Sequence, residues 1–106
     1  MTVFDDRLKA ELAKFQHDME LEFRVRLRRN KLFALRVAKQ LGLQEREALD
    51  YAKAVVLADF GQVGDDPVLT KVVEDLRAKG AEVDTGGLQR DLDKMKHEAQ
   101  QQVMQE

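Results

Sequence analysis

Histidines and carboxylates are the side chains of this 106-residue chain whose spacing could support metal or acid–base chemistry. His17 and Glu20 lie about one helical turn apart, but a carboxylate-bridged metal site in a helical bundle needs several such pairs. His97 has only Gln101 at a comparable spacing. The sequence contains no cysteine and no serine, which excludes disulfides, thiolate metal sites and nucleophiles of either type. We therefore expect no bound metal, no cofactor and no enzymatic activity.

Two pairs of adjacent aspartates stand at predicted helix starts. Asp5 and Asp6 open the first helical segment, and Asp65 and Asp66 open the third. A pair that acts as general acid and base would need apolar surroundings to raise one pKa, and neither pair has them. Aspartates at helix starts accept hydrogen bonds from free amides and interact favourably with the helix dipole. We interpret both pairs as capping residues.

Positive charge is concentrated in the N-terminal part of the chain, where an anion could bind. Residues 1–40 carry ten Lys/Arg and six Asp/Glu, whereas the remainder is acidic. A basic helix face is predicted from Arg24, Arg28, Arg29 and Lys31. The chain has no helix-turn-helix pattern, and its glycines at 61–64 are followed by two acids that would repel phosphate. We expect no nucleic-acid partner. Weak nucleotide binding at the basic face stays an alternative, as does pairing of these side chains with acids inside the fold.

Four helical segments are predicted, because alanine, leucine, lysine and glutamate dominate and no strand-like alternation occurs. They cover residues 5–41 and 44–60, a third segment ending at Gly80, and a fourth beginning after Thr85. Gly42 supplies the left-handed residue that ends the first. Short loops favour antiparallel neighbours, so the predicted fold class is all-α, a small four-helix bundle. No apolar run is long enough to span a bilayer and no signal peptide is evident, so we expect a cytoplasmic protein without direct membrane insertion.

The predicted core comes from one apolar face of each helix. In the first helix this face spans about 140°, and its members are Phe15, Met19, Phe23, Leu27, Ala34, Val37, Ala38 and Leu41. Asn30 points into the same face and needs a hydrogen-bond partner. The positions predicted for the other helices are Leu49, Ala52, Val55, Val56, Phe60, then Leu69, Val72, Val73, Leu76, then Leu88, Leu92, Met95, Ala99 and Val103.

The first helix is too long to be covered along its whole length. At about 37 residues it outruns neighbours of about 13–20 residues, so one end must project. We predict that the N-terminal part projects from the bundle or is disordered in the free protein. Its apolar residues step by four, four and three along the helix, at Phe4, Leu8, Leu12 and Phe15. An apolar helix face without a groove of its own is a candidate for insertion into a partner's groove. Docking on its own bundle and pairing with a second copy stay alternatives.

Five short motifs occur in an order and spacing that resemble one protein family. They are Phe4-Asp5-Asp6-Arg7, Lys14-Phe15-Gln16-His17-Asp18, Arg28-Arg29-Asn30-Lys31-Leu32, Ala58-Asp59-Phe60 and Gly64-Asp65. Over nearly its whole length the chain resembles the zeta subunit, the ATPase-inhibitor subunit of alphaproteobacterial F-type ATP synthases. The resemblance implies a four-helix protein whose N-terminal segment inserts into the catalytic head at an interface of the alpha, beta and gamma subunits. There it would block ATP hydrolysis.

The resemblance and the residue patterns together give the predicted partner-binding residues. The resemblance implies an insertion segment over about residues 1–19. The full set is Phe4, Asp5, Asp6, Arg7, Leu8, Leu12, Phe15, His17, Arg24, Arg28, Arg29 and Lys31. We predict a flexible inhibitory segment over residues 1–18 and a four-helix bundle domain over residues 19–106. The alternative functions are a basic adaptor that binds nucleotide or nucleic acid, and a structural helical oligomer.

Overall fold

Four α-helices make up the described part of the chain. The computed structural model describes residues 2–106 and contains α1 (Val3–Gln40), α2 (Glu45–Asp59), α3 (Asp66–Ala78) and α4 (Thr85–Met104). The long α1 packs against both α2 and α4, and α3 contacts α2 and, less extensively, α1 and α4. The predicted all-α four-helix bundle is confirmed. Within residues 2–106, no helix has the length and hydropathy that crossing a membrane would need.

The end of α1 follows from its local sequence. Gly42 adopts a φ of +77°, in the left-handed region that favours glycine. The amide of Gly42 donates to the carbonyl of Lys39 at 3.1 Å, and the amide of Leu43 donates to that of Ala38 at 2.9 Å. These two bonds form a Schellman motif, so the predicted role of Gly42 is confirmed. The other predicted helix ends agree with the structure to within about two residues.

The core lies between the C-terminal half of α1 and the apolar faces of the other helices. All the positions predicted for α4 are buried, as are Ala34, Val37 and Ala38 of α1. Phe33 and Val68 are completely buried and were not among the predicted positions. Leu69 and Val73, predicted as core, pack against it only partly buried.

Several positions predicted as core are exposed instead. Phe15, Met19 and Phe23 are 63%, 54% and 47% exposed, because α2, α3 and α4 do not extend along the N-terminal half of α1. Leu49 and Phe60 are also more than half exposed. Leu49 lines an open groove between α1 and α2, and Phe60 stands just beyond the end of α2.

The N-terminal part of α1 projects from the bundle, as predicted. Every residue from 2 to 20 is exposed, and the first partly buried side chain is that of Leu21. The projecting part measures roughly 27 Å at about 1.5 Å per residue, and the molecule measures 64 × 25 × 20 Å. Residues from Val3 onward are helical in this structure. The flexibility of residues 1–18 stays a prediction, and Met1 lies outside the described residues.

Candidate partner-binding surface

The projecting part of α1 carries a row of exposed apolar side chains on one face. We call this row the apolar stripe. Its members are Phe4, Leu8, Leu12, Phe15, Met19 and Phe23, each between 45% and 72% exposed. At about 100° per residue they fall within an arc of about 100°. An exposed apolar surface of this kind on a small protein is typical of an interaction site.

The apolar stripe continues the face of α1 that the bundle buries. At the helical repeat, Phe33 and Val37 lie within the same arc as the stripe, and both are buried. One continuous face is therefore covered by α2, α3 and α4 in its C-terminal half and left open in its N-terminal half. No helix among residues 2–106 covers the open half.

The first turn of α1 is fixed by a capping box. The amide of Asp5 donates to the Thr2 hydroxyl at 3.2 Å, and the Asp5 carboxylate accepts from the Thr2 amide at 3.3 Å. Asp5 and Asp6 also place negative charge in the first turn, where the helix dipole favours it. The capping role predicted for Asp5 is confirmed, and the helix that presents Phe4 has a defined start.

The other predicted polar residues of this segment differ in position around the helix. Arg7 is exposed beside Phe4 and Leu8. His17 is exposed on the face opposite the apolar stripe, because its helical angle differs from the centre of the stripe by about 170°. A groove that buries the stripe would leave His17 on the outer side. Among residues 2–106, no cluster of His, Cys, Asp or Glu is arranged to hold a metal ion.

Arg24 and Arg28 of the predicted basic face pair with the end of α4. Arg24 Nη2 donates to Glu106 Oε2 at 2.6 Å, and Arg28 donates to Gln102 Oε1 at 2.8 Å and to the Glu106 carboxylate. Hydrogen bonds from Arg28 and then Arg24 lower the pKa of the Glu106 carboxyl. Lys31 is exposed on the same side. Arg24 and Arg28, predicted to bind an external anion, therefore form ion pairs within the fold.

Arg29 does not belong to an exposed basic face, which corrects its predicted position. Its side chain is only 8% exposed, and its Nη1 donates to Asp65 Oδ1 at 2.8 Å. Its Nε donates to Asn30 Oδ1 at 3.0 Å. Its Nη2 lies 4.0 Å from Asp59 Oδ2 and makes no hydrogen bond. The position of Arg29 on α1 points it between the helices, so its charge is neutralised inside the bundle.

A buried carboxylate, Asp59 at the end of α2, holds this region of α1 in place. It is 2% exposed and accepts hydrogen bonds from Arg26 Nε at 2.7 Å and Arg26 Nη2 at 2.9 Å. It also accepts from Asn30 Nδ2 at 2.6 Å, so the partner predicted for Asn30 exists. The bidentate contact raises the pKa of Arg26, and the Arg26 side chain also donates to the Gly64 carbonyl at 2.6 Å. In the sequence, Asp59 stands only as part of a family motif, which predicted neither its burial nor its contacts with α1. The hydrogen-bond partner that Asn30 requires was the one signal of a buried polar cluster.

Asp65 cross-links three helices instead of capping one. It occupies the N-cap position of α3, but its side chain makes no capping hydrogen bond. The carboxylate accepts from Arg29 of α1 and, at 3.0 Å, from Gln89 Nε2 of α4. The hydrogen bond from Gln89, with that from Arg29, lowers the pKa of Asp65. The capping interpretation of this residue is therefore wrong, because its side chain turns toward α1 and α4.

Gly86 and Gly87, in the first turn of α4, do not form a phosphate cradle. Asp84 occupies the N-cap position, and its Oδ1 accepts from the amide of Gly87 at 3.0 Å. A phosphate at this helix start would have to displace the carboxylate and its negative charge. Because the Asp84 carboxylate occupies this helix start, Gly86 and Gly87 give no support for nucleotide binding.

The fold and the apolar stripe define a small all-α protein with one protruding amphipathic helix. The chain belongs to the ATPase inhibitor subunit zeta family, whose model matches residues 1–102. The family identified from the sequence motifs is therefore confirmed. Comparisons with curated proteins and with solved structures gave no match. Membership of this family indicates a regulatory protein with an ATP synthase as its partner.

Proposed function

We propose that this protein binds the catalytic head of F-type ATP synthase and blocks ATP hydrolysis by inserting the N-terminal part of α1 at a catalytic interface. The observation that carries the proposal is the apolar stripe, which lies on a projecting helix that the bundle leaves uncovered. A groove between the alpha, beta and gamma subunits would bury the stripe. The inserted helix would then hold that interface closed and prevent rotation in the hydrolysis direction.

The bundle and the projecting helix have different tasks in this proposal. Isolated helices of this length are marginally stable in water, so the projecting part gains stability when a groove surrounds it. The bundle, held by its core and by the Asp59 cluster, is too wide to follow the helix into a narrow groove. It would therefore limit the depth of insertion.

The charge of the projecting helix favours a different protein over a second copy as the partner. Residues 3–22 carry three Arg/Lys and six Asp/Glu, a formal charge of −3. Two copies paired through the apolar stripe would bring like charges together, which weakens association. A groove with a basic rim would attract the same segment. A structural oligomer is thus the weaker alternative.

Hydrolysis by the isolated catalytic head tests the proposal with a matched pair of substitutions. Leu12 and Leu49 are 57% and 55% exposed, and only Leu12 belongs to the apolar stripe. Leu12→Gln places a polar group in an apolar groove, so we expect at least about tenfold weaker inhibition. Leu49→Gln should inhibit like the intact protein. Equal inhibition by both variants, or no inhibition by the intact protein, would contradict the proposal.

Deletion of residues 1–13 separates insertion from binding through the basic residues. The described residues that it removes, 2–13, are all exposed, so we expect loss of inhibition with a melting temperature changed by a few degrees at most. Replacing Arg24, Arg28 and Lys31 by glutamine should weaken inhibition only partly, in a manner that fades as salt increases. If the protein is a basic adaptor, the three glutamine substitutions should weaken binding more than the deletion does. A truncated protein that inhibits as well as the intact one would favour that alternative.

A further inference from the structure

The loop between α2 and α3 exposes apolar side chains where a short connection is ordinarily polar. Residues 60–64 read Phe-Gly-Gln-Val-Gly. Phe60 is 59% exposed and Val63 is 91% exposed. Gly61 and Gly64 have φ values of +75° and +80°, so turns at both positions shape the loop between them. The loop presents two apolar side chains that the bundle does not use to fill its core.

This loop lies where the apolar stripe meets the bundle. The ring of Phe60 packs edge-on against that of Phe23, the last residue of the stripe, with centroids 5.9 Å apart and planes at 80°. One turn further along α1, Arg26 donates to the carbonyl of Gly64 at 2.6 Å and so fixes the other end of the loop to the helix. The stripe is therefore continuous with Phe60 through a direct ring contact.

A cavity of about 250 Å³ opens beside this ring contact. Its apolar lining comes from Phe23, Leu27, Val56 and Phe60, and Arg26 and Asp59 also line it. A surface that follows the stripe as far as Phe23 reaches this cavity before it reaches the buried core. An apolar side chain from that surface would fill it.

We infer that Phe60 and Val63 form a second part of the docking surface and contact the rim of the groove that receives the apolar stripe. The inference rests on the proposed function, because the occupant is the same catalytic head. The observation that supports this inference is the direct contact between Phe60 and Phe23, the last residue of the stripe. The interface thus includes the bundle and does not end at the projecting helix. The contact at the loop also sets how far α1 enters the groove. Insertion stops where the apolar side chains of the loop meet apolar residues on the rim of the groove.

Site-specific photo-crosslinking tests the inference directly, because the chain has no cysteine of its own. Val63→Cys and Leu49→Cys are each labelled with benzophenone maleimide, mixed with the catalytic head and irradiated. Leu49 lies about 16 Å from Phe60 along α2, at about 1.5 Å per residue. We expect crosslinks to the head from position 63 and few from position 49. Excess unlabelled intact protein should abolish the crosslinks from position 63.

A functional measurement accompanies the crosslinking. Phe60→Gln combined with Val63→Gln should raise the concentration that gives half-maximal inhibition by roughly tenfold. Val63→Gln alone changes a side chain that is 91% exposed, so an effect of this variant cannot come from unfolding. If the label at position 63 crosslinks no better than that at position 49 while the intact protein inhibits, the inference is wrong and the proposed function stands. If the intact protein does not inhibit, the proposed function fails and the inference with it.

Discussion

Replacement of Asp59 by alanine should remove a large part of the stability of the bundle. The carboxylate accepts hydrogen bonds from Arg26 and Asn30 and lies 4.0 Å from the Arg29 guanidinium. Arg26 is 29% exposed in its side chain and can recover hydrogen bonds to water. Asn30 is buried and cannot, and the buried Arg29 guanidinium loses the nearby negative charge. Removing one member of a buried charged pair costs about 3–5 kcal/mol, against about 5–15 kcal/mol for a whole domain.

Urea unfolding followed by circular dichroism at 222 nm measures this loss. Asp50→Ala is the matched control, because Asp50 is an exposed residue of the same helix. We expect its unfolding free energy to stay within about 0.5 kcal/mol of the unmodified protein. The Asp59→Ala variant should unfold at lower urea with a similar dependence on urea concentration. A loss below about 1 kcal/mol would refute the assignment of Asp59 as the residue that holds α1 against α2.

Three further measurements test the division of α1 and the cross-link at Asp65. Phe33→Ala should lower the unfolding free energy by about 3–5 kcal/mol, whereas Phe15→Ala, at a 63% exposed position, should change it little; equal losses would mean that the whole helix is buried. Backbone order parameters should be lower over residues 3–18 than over residues 24–40, and uniform values would contradict the predicted flexible segment. The pKa of Asp65 is lowered in the folded state, so its contribution is present above about pH 4 and is lost below it. The difference in unfolding free energy between the unmodified protein and Asp65→Asn should therefore shrink as the pH falls from 7 to 3. A difference that grows would mean that folding raises the pKa of Asp65 instead of lowering it.

Elements with local signals were predictable from the sequence. Gly42 ends α1 because a left-handed residue there closes two hydrogen bonds within a few residues. The apolar positions of α4 repeat at helical spacing, and each of them is buried. In both cases the information lies in a single helix and its flanking residues. The spacing of the apolar stripe likewise indicates one helix face, and the length of α1 relative to its neighbours indicates that part of this face is uncovered.

Properties set by the relative placement of helices were not predictable. Periodicity gives the angle of a side chain around a helix but not the length over which neighbours cover it. Phe23 and Phe33 both fall on the apolar face of α1, yet one is 47% exposed and the other fully buried. Likewise, Arg29 resembles its surface neighbours in the sequence. Its pairing with Asp65, 36 residues away, depends on how α3 meets α1.

The unbroken course of α1 fixes the rotational phase of its projecting end. No glycine or proline interrupts the helix between Val3 and Gln40, so the bundle sets the direction in which every stripe residue points. Insertion of one residue between Met19 and Phe23 would turn the outer stripe by about 100° relative to the loop at Phe60. Insertion of seven residues would restore its direction to within about 20°. Seven residues would also move the outer stripe about 10 Å further from the loop. A partner that contacts both parts would therefore reject single insertions because of the rotation and whole heptads because of the added distance.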